Sequence, residues 1–249
     1  MNIQKINQAV ILAGGMGKRL RPITDVTPKP MAVINKSPFL DYLIKSLKDL
    51  GIKNVLILTG YKSEKIFKRY NKLKSINISF SKGNINSLSG KRLINAYNKL
   101  DDYFLLMYGD NYCPINLARL INFYNKKKSL ITLTAYSNRD GKGEYGFQNN
   151  VKVNKTGIVK SYDNLKKNQY MNCVNIGYFI VNKIALNKSI KKNISFEDNI
   201  MNKYIKKNKV SAFLTNKEYK YITNFKSLME CEKYFKKNKI KPLERKFFK

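Results

Sequence analysis

The sequence contains no histidine. That absence removes Ser-His-Asp and Cys-His nucleophilic catalysis and every histidine-ligated metal site. Acidic residues are scarce, 16 against 49 lysines and arginines, so any carboxylate chemistry must draw on a short set. The three cysteines, Cys113, Cys173 and Cys231, are isolated and odd in number. They suggest neither a disulfide framework nor a zinc ligand set. Long apolar runs are missing: YFLLMY at 103–108 is far too short to span a bilayer, and no membrane partner is expected. The opening MNIQKINQ lacks the apolar core of a secretory leader, so a cytoplasmic location is expected. No repeat and no linker interrupts the chain, which predicts one compact unit over residues 1–249.

What is present is an ordinary apolar content of 43 % and a net charge of +33. Such charge favours phosphorylated partners. The lysines are spread along the whole chain, and no RNA- or DNA-binding motif accompanies them, so nucleic acid is not the expected partner. A homo-oligomer stays open.

Apolar runs alternate with helical patterns in the first half. AVILA (9–13), VLILTG (55–60), INISF (76–80) and YFLLMYGD (103–110) read as strands. PFLDYLIKSLKDLG (38–51) puts Phe39, Leu40, Leu43, Ile44, Leu47 and Leu50 on one helical face closed by Gly51. Residues 91–100 suit a second helix. This rhythm predicts an α/β fold with a mostly parallel, Rossmann-like sheet flanked by helices. The second half is strand-richer, with 130–136, 147–153, 175–181 and 220–223 as strands and 227–237 as a closing helix. A first half over about 1–115, a substrate-binding half over 116–240 and a basic tail over 241–249 are expected. In such sheets ligands bind at the carboxyl ends of the strands. Both the 14–31 loop and Asp110 fall there.

The stretch AVILAGGMGKRLRPITDVTPKPM (9–31) carries the chemistry. It is not a dinucleotide fingerprint, because Leu20 stands where the third glycine of G-x-G-x-x-G belongs. It is not a Walker A loop, because Leu12 stands in the first position and Arg19 follows Lys18. Gly14, Gly15 and Gly17 let backbone N–H groups approach a phosphate or base. Lys18, Arg19, Arg21 and Lys29 can surround that phosphate with charge. Pro28 and Pro30 bracket Lys29 and stiffen its setting.

LAGGMGKRLRPITDVTPKPM resembles the signature L-x-G-G-x-G-x-R-L-x-x-x-T-x-x-x-P-K-P-M of sugar-1-phosphate nucleotidylyltransferases. These enzymes join a nucleoside triphosphate to a sugar 1-phosphate and release pyrophosphate. YFLLMYGDN (103–111), GEYGF (143–147) and VNIGYFIVNK (174–183) are similar to further segments of the family. The resemblance implies a nucleotide cradle of Leu12, Ala13, Gly14, Gly15, Gly17, Lys18 and Gly109, with Ser89 and Gly90 of NSLSGKRL reading the base. It implies Arg19 at the β- and γ-phosphates and Lys29 on the sugar phosphate and α-phosphate. Asp110 would bind Mg²⁺, and Tyr145, Gly146, Asp163 and Asn175 would lie at the sugar. Such a transfer needs positioning and charge neutralisation rather than a nucleophilic side chain.

Three segments depart from the family pattern. The second metal-binding Asp of the family would fall in KYITNFKSL (220–228), where Tyr221, Thr223 and Asn224 stand instead. Glu218 is the nearest acid, and strand alternation points it away. The sugar-contacting Glu-Lys pair falls at DNLKK (163–167), where Asp163 and Lys166 stand in. The base-reading loop resembles that of cytidylyltransferases, while KSPFLDYLIKSLKDLGIKN resembles heptose-1-phosphate guanylyltransferases, so CTP and GTP both remain open. A non-catalytic nucleotide-binding relative and a nucleic-acid binder are the competing classes.

Overall fold

The computed structural model describes residues 5–248. Seven strands form the main sheet: β1 (Gln8–Ala13), β2 (Asn54–Thr59), β3 (Asn77–Lys82), β4 (Tyr103–Tyr108), β5 (Ile131–Tyr136), β6 (Val174–Asn182) and β7 (Val210–Thr215). Their order is β7-β5-β6-β4-β1-β2-β3. β1, β2 and β3 pair in parallel, as do β5 and β7, while β6 runs antiparallel to β5. Five longer helices accompany the sheet: α1 (Phe39–Asp49), α2 (Ser63–Tyr70), α3 (Ser89–Asn95), α4 (Leu117–Lys127) and α5 (Phe225–Lys237). The α/β architecture with a mostly parallel sheet expected from the apolar rhythm is present.

Contacts divide the chain into two compact units. One gathers Leu88–Leu106 and Cys113–Tyr219, the other Asn7–Ser87, Met107–Tyr112 and the stretch from Lys220 onward. In the second unit, β1 is a near-continuous apolar run because a parallel strand is covered on both faces. α1 buries Phe39, Leu40, Leu43, Ile44 and Leu47. It ends where Gly51 takes φ 80° and the Ile52 N–H reaches back to the Leu47 carbonyl at 3.1 Å. α5 closes this unit and sets Phe235 between Tyr42, tilted at 4.6 Å between ring centroids, and Tyr112, edge-on at 4.9 Å. In the first turn of α1, Asp41 is fully buried and accepts hydrogen bonds from both Arg69 and the Tyr70 hydroxyl.

Several boundaries differ from the sequence reading. The helix expected over 91–100 is α3 followed by a separate 3₁₀ turn at Tyr97–Lys99. Only Val151–Val153 of the 147–153 segment is strand. The preceding residues are instead held by Asn138, whose Nδ2 donates to the Gly146 carbonyl at 2.9 Å and to Asn149 Oδ1 at 3.0 Å. α4 went unread because it buries only a thin stripe of Leu117, Leu120 and Tyr124.

Candidate functional site

The second unit brings the glycine loop, the Pro-Lys-Pro turn and the end of β4 into one constellation. β1 ends at Ala13, and the chain turns through Gly14 to Gly17. The Tyr61 N–H donates to the Gly14 carbonyl at 3.1 Å, and the Thr24 hydroxyl donates to the Gly17 carbonyl at 3.1 Å. Gly17 adopts φ 64° and starts the 3₁₀ turn Lys18–Leu20. A Cβ on Gly17 would stand 2.9 Å from the Lys29 Cβ, so the loop and the lysine are packed to the limit that glycine allows. A Cβ on Gly15 would meet nothing within 4 Å, which leaves its backbone open to a ligand.

Lys29 lies in a 3₁₀ turn, Lys29–Met31, that follows Pro28 and contains Pro30. Its side chain is 11 % exposed, and its Nζ stands 2.5 Å from Asp110 Oδ2. Asp110 follows β4 by two residues. The intervening Gly109 donates its N–H to the Leu12 carbonyl at 3.0 Å, which ties the end of β4 to β1. A Cβ there would sit 2.7 Å from that carbonyl oxygen and 3.1 Å from Pro30. Leu12 and Gly109 thus shape the floor through backbone rather than side chain. Lys18 and Arg19 are exposed and have no side-chain partner among the described residues. Arg21 turns instead to Asp25, with Nε 3.0 Å from its carboxylate.

The segment where a second acid was sought lies alongside Asp110. Lys220–Tyr221 pairs antiparallel with Asn111–Tyr112, and the Ile222 N–H donates to the Asp110 carbonyl at 3.0 Å. No carboxylate is carried there. Asn224 is the N-cap of α5, its Oδ1 accepting from the Ser227 N–H at 3.0 Å while the Ser227 hydroxyl accepts from the Asn224 N–H at 2.9 Å. Glu218 belongs to the other unit, where its charge and Asp140 add to burial in pushing the Tyr136 phenol up to about 12. Among the described residues no group of three acidic or thiol side chains could hold a metal ion.

The other unit carries the remaining predicted residues. Ser89 opens α3, and its hydroxyl donates to Glu197 Oε2 at 3.0 Å and accepts from the Phe196 N–H at 2.8 Å. Gly90 packs against backbone: a Cβ would be 2.9 Å from the Ile194 carbonyl oxygen. Tyr145 lies under the Lys166 ammonium, 4.2 Å from ring centroid to Nζ. Gly146 takes φ 61° in open space. Asp163 spends its carboxylate on its own loop, accepting from the Leu165 and Asn168 N–H groups at 2.9 Å each. Those backbone bonds, Asn168 first, hold its pKa below the usual carboxylate range. Asn175 is buried at the bulge of β6, where its Oδ1 accepts from the Gly177 N–H at 3.0 Å.

Sequence reasoning missed Glu197. It is 7 % exposed, sits in a π-helical segment (Phe196–Met201) and accepts from the Ser89 and Ser195 hydroxyls at 3.0 Å each. The Tyr162 phenol is pushed up by burial and then by the charges of Glu197 and Asp198, and it bonds Asn175. The only sequence signal was Ser195 three residues before Asp198, an ordinary helix start.

A glycine loop at the end of a buried parallel strand, exposed cations beside it and a lysine–carboxylate pair on its floor are thus gathered in one α/β fold. The chain belongs to the Nucleotidyl transferase family, whose pattern matches residues 8–238. Over 75 residues it is 45 % identical to a D-glycero-alpha-D-manno-heptose 1-phosphate guanylyltransferase of Aneurinibacillus thermoaerophilus, covering 30 % of this chain and 33 % of that one. Over 57 residues it is 46 % identical to a choline-phosphate cytidylyltransferase of Streptococcus pneumoniae, covering 23 % and 25 %. These matches span a third or less of each relative. The crystal structure of HddC from Yersinia pseudotuberculosis complexed with GMP-PN shares the fold, with a TM-score of 0.74 and 23 % identity over 92 % of this chain and 100 % of that one.

Proposed function

We propose that the protein is a nucleotidylyltransferase that joins a nucleoside triphosphate to a sugar 1-phosphate or a similar phosphorylated alcohol. The observation that carries this reading is the Lys29–Asp110 pair at 2.5 Å, set against the Gly17 turn. A phosphate oxygen of the acceptor attacks the α-phosphorus in line, the α–β bridge breaks, and pyrophosphate leaves with the electron pair. Arg19 neutralises the departing pyrophosphate, and Lys29 holds the acceptor phosphate against the α-phosphate. The open backbone at Gly15 approaches the triphosphate. No proton needs to be taken from a phosphate dianion, so the missing histidine costs nothing.

Magnesium fits this site in one form only. Mg²⁺ is commonly held by one or two carboxylates plus substrate phosphates, and Asp110 supplies one carboxylate. When bound, Mg²⁺ would neutralise charge developing on the phosphates. On the acceptor side, Tyr145, Gly146, Asp163 and Asn175 belong to this reading. Relatives that use guanylyl and cytidylyl groups support GTP and CTP as candidate donors. Among the described residues no helix is long and apolar enough to cross a membrane, and a cytoplasmic site of action accords with soluble nucleotide substrates.

The second reading, nucleotide binding without turnover, draws on the lack of a carboxylate at Tyr221, Thr223 and Asn224. The test is pyrophosphate release with Mg²⁺ across CTP, GTP, UTP and dTTP against sugar 1-phosphates and phosphocholine. Release with one donor–acceptor pair supports the enzyme. Nucleotide binding with no release across the whole panel supports the second reading.

A further inference from the structure

A second cationic cleft, outside the phosphate cradle, opens on the second unit. Its volume is about 720 Å³, a size suited to a small ligand. It is walled by α2, by the hairpin Val33–Pro38 and by the C-terminal residues Leu243 and Phe248. Five cations line it: Lys36, Lys65, Lys68, Arg69 and Lys72. None of the cradle residues Gly14, Gly15, Gly17, Arg19, Lys29 or Asp110 does.

Scattered lysines on a +33 chain would be a sufficient account of any one of these side chains. Three observations set the group apart. Lys36, Lys65, Lys68 and Lys72 make no ion pair among the described residues. The one acid of α2, Glu64, is not in the lining. A helix C-terminus favours cations, which accounts for Lys68 and Arg69. It accounts neither for Lys65, one turn earlier and in like-charge i,i+4 spacing with Arg69, nor for Lys36, which comes from another element.

The second observation is the backbone that delivers Lys36. Ile34 pairs with Ser37 across a two-residue turn in which Asn35 has φ 45° and Lys36 has φ 67°. That geometry favours glycine at the second position, yet a lysine occupies it and lines the cleft. The third is rigidity. Arg69 donates from Nε to Asp41 Oδ1 at 2.8 Å and with a second nitrogen to Asp41 Oδ2, and its guanidinium stacks 4.6 Å from the Phe248 ring centroid. The buried carboxylate offsets the arginine, so the lining keeps the charge of its four lysines.

We propose that this cleft binds a small polyphosphate carrying an apolar group, such as a nucleoside polyphosphate, at a site separate from the glycine loop. Phosphates would lie among Lys36, Lys65, Lys68 and Lys72, while Met31, Leu243 and Phe248 supply apolar surface. This goes beyond the proposed transferase activity and does not depend on it.

Calorimetry with inorganic tripolyphosphate, and separately with GTP, tests the site in the full chain. Wild type should show two binding events. K65Q/K68Q/K72Q should lose one of them, its affinity falling about 10-fold or more, while an R19A/K29M protein keeps that event and loses the other. K36G should weaken the same event several-fold without loss of thermal stability, because glycine suits the turn. GTP binding more tightly than tripolyphosphate at this site supports a nucleoside ligand, and equal affinity would overturn the apolar component. Identical titrations for wild type, K65Q/K68Q/K72Q and K36G would overturn the site. Binding of a DNA duplex or of phosphatidylserine vesicles at these lysines, with no heat from either small anion, would overturn the ligand class. Loss of pyrophosphate release in R19A/K29M alone would bear on the transferase reading and leave the cleft untouched.

Discussion

The Lys29 ammonium and the Asp110 carboxylate, 81 positions apart, meet at 2.5 Å, and Lys29 is the more buried of the two, its side chain 11 % exposed against 30 %. In the free protein the carboxylate proposed to hold a metal is therefore already neutralised by a lysine. A divalent cation must displace or share that contact, and no second protein carboxylate stands in the Tyr221–Asn224 segment to help it. Measurable Mg²⁺ binding is expected only when a nucleoside triphosphate supplies further oxygens. Calorimetry of Mg²⁺ with and without nucleotide checks this; strong binding to the free protein would contradict it. Asp110→Asn should abolish turnover, and Glu218→Gln should leave it near wild type.

Arg19 is exposed beside the glycine turn and has no side-chain partner among the described residues. Arg19→Ala should lower kcat by about 10²–10³, the effect of removing one preorganised charge donor. Lys29→Met should raise KM for the acceptor phosphate and lower kcat together. Steady-state kinetics distinguish this from a structural role, in which only thermal stability would move.

Gly17→Ala tests the packing of loop against lysine. The left-handed φ costs a residue with a Cβ about 1–2 kcal/mol, and the new methyl would meet Lys29 Cβ at 2.9 Å and Thr24 Cγ2 at 3.1 Å. A lower melting temperature and a reduced kcat should appear together. Gly15→Ala meets nothing within 4 Å, so its stability should hold while nucleotide affinity falls.

All three cysteines are buried. Burial pushes the Cys113 thiol up to about 12 and Cys173 up to about 11, and raises Cys231 as well. Because the thiolate is the reactive form, almost none is present at pH 8. Native protein should react slowly with a thiol reagent, and denatured protein should release all three equivalents at once. Rapid labelling of one thiol in the native state would show local opening around it.

The sequence alone determined much of this protein, because its signals are local. Buried parallel strands write themselves as unbroken apolar runs, as at β1, and α1 as a 3.6-residue stripe closed by Gly51. The glycine loop and the Pro-Lys-Pro turn were legible because backbone conformation there depends on glycine and proline themselves. Absence of histidine excluded triad catalysis and histidine-ligated metals before any geometry was known.

What needed tertiary structure was every relation between distant positions. That Lys29 grips Asp110, that Gly109 must be glycine to clear the Leu12 carbonyl, and that Glu197 gathers Ser89 depend on which strands and loops become neighbours. Local propensity does not encode those neighbours. The resemblance implies Gly90 at the base, and the fold adds that the Ile194–Phe196 backbone packs against it. Asn224 stood in the sequence only where a carboxylate was missing; in the fold it caps α5 through Ser227. Such assignments follow from packing, since a polar side chain takes the hydrogen-bond partner that burial leaves within its reach.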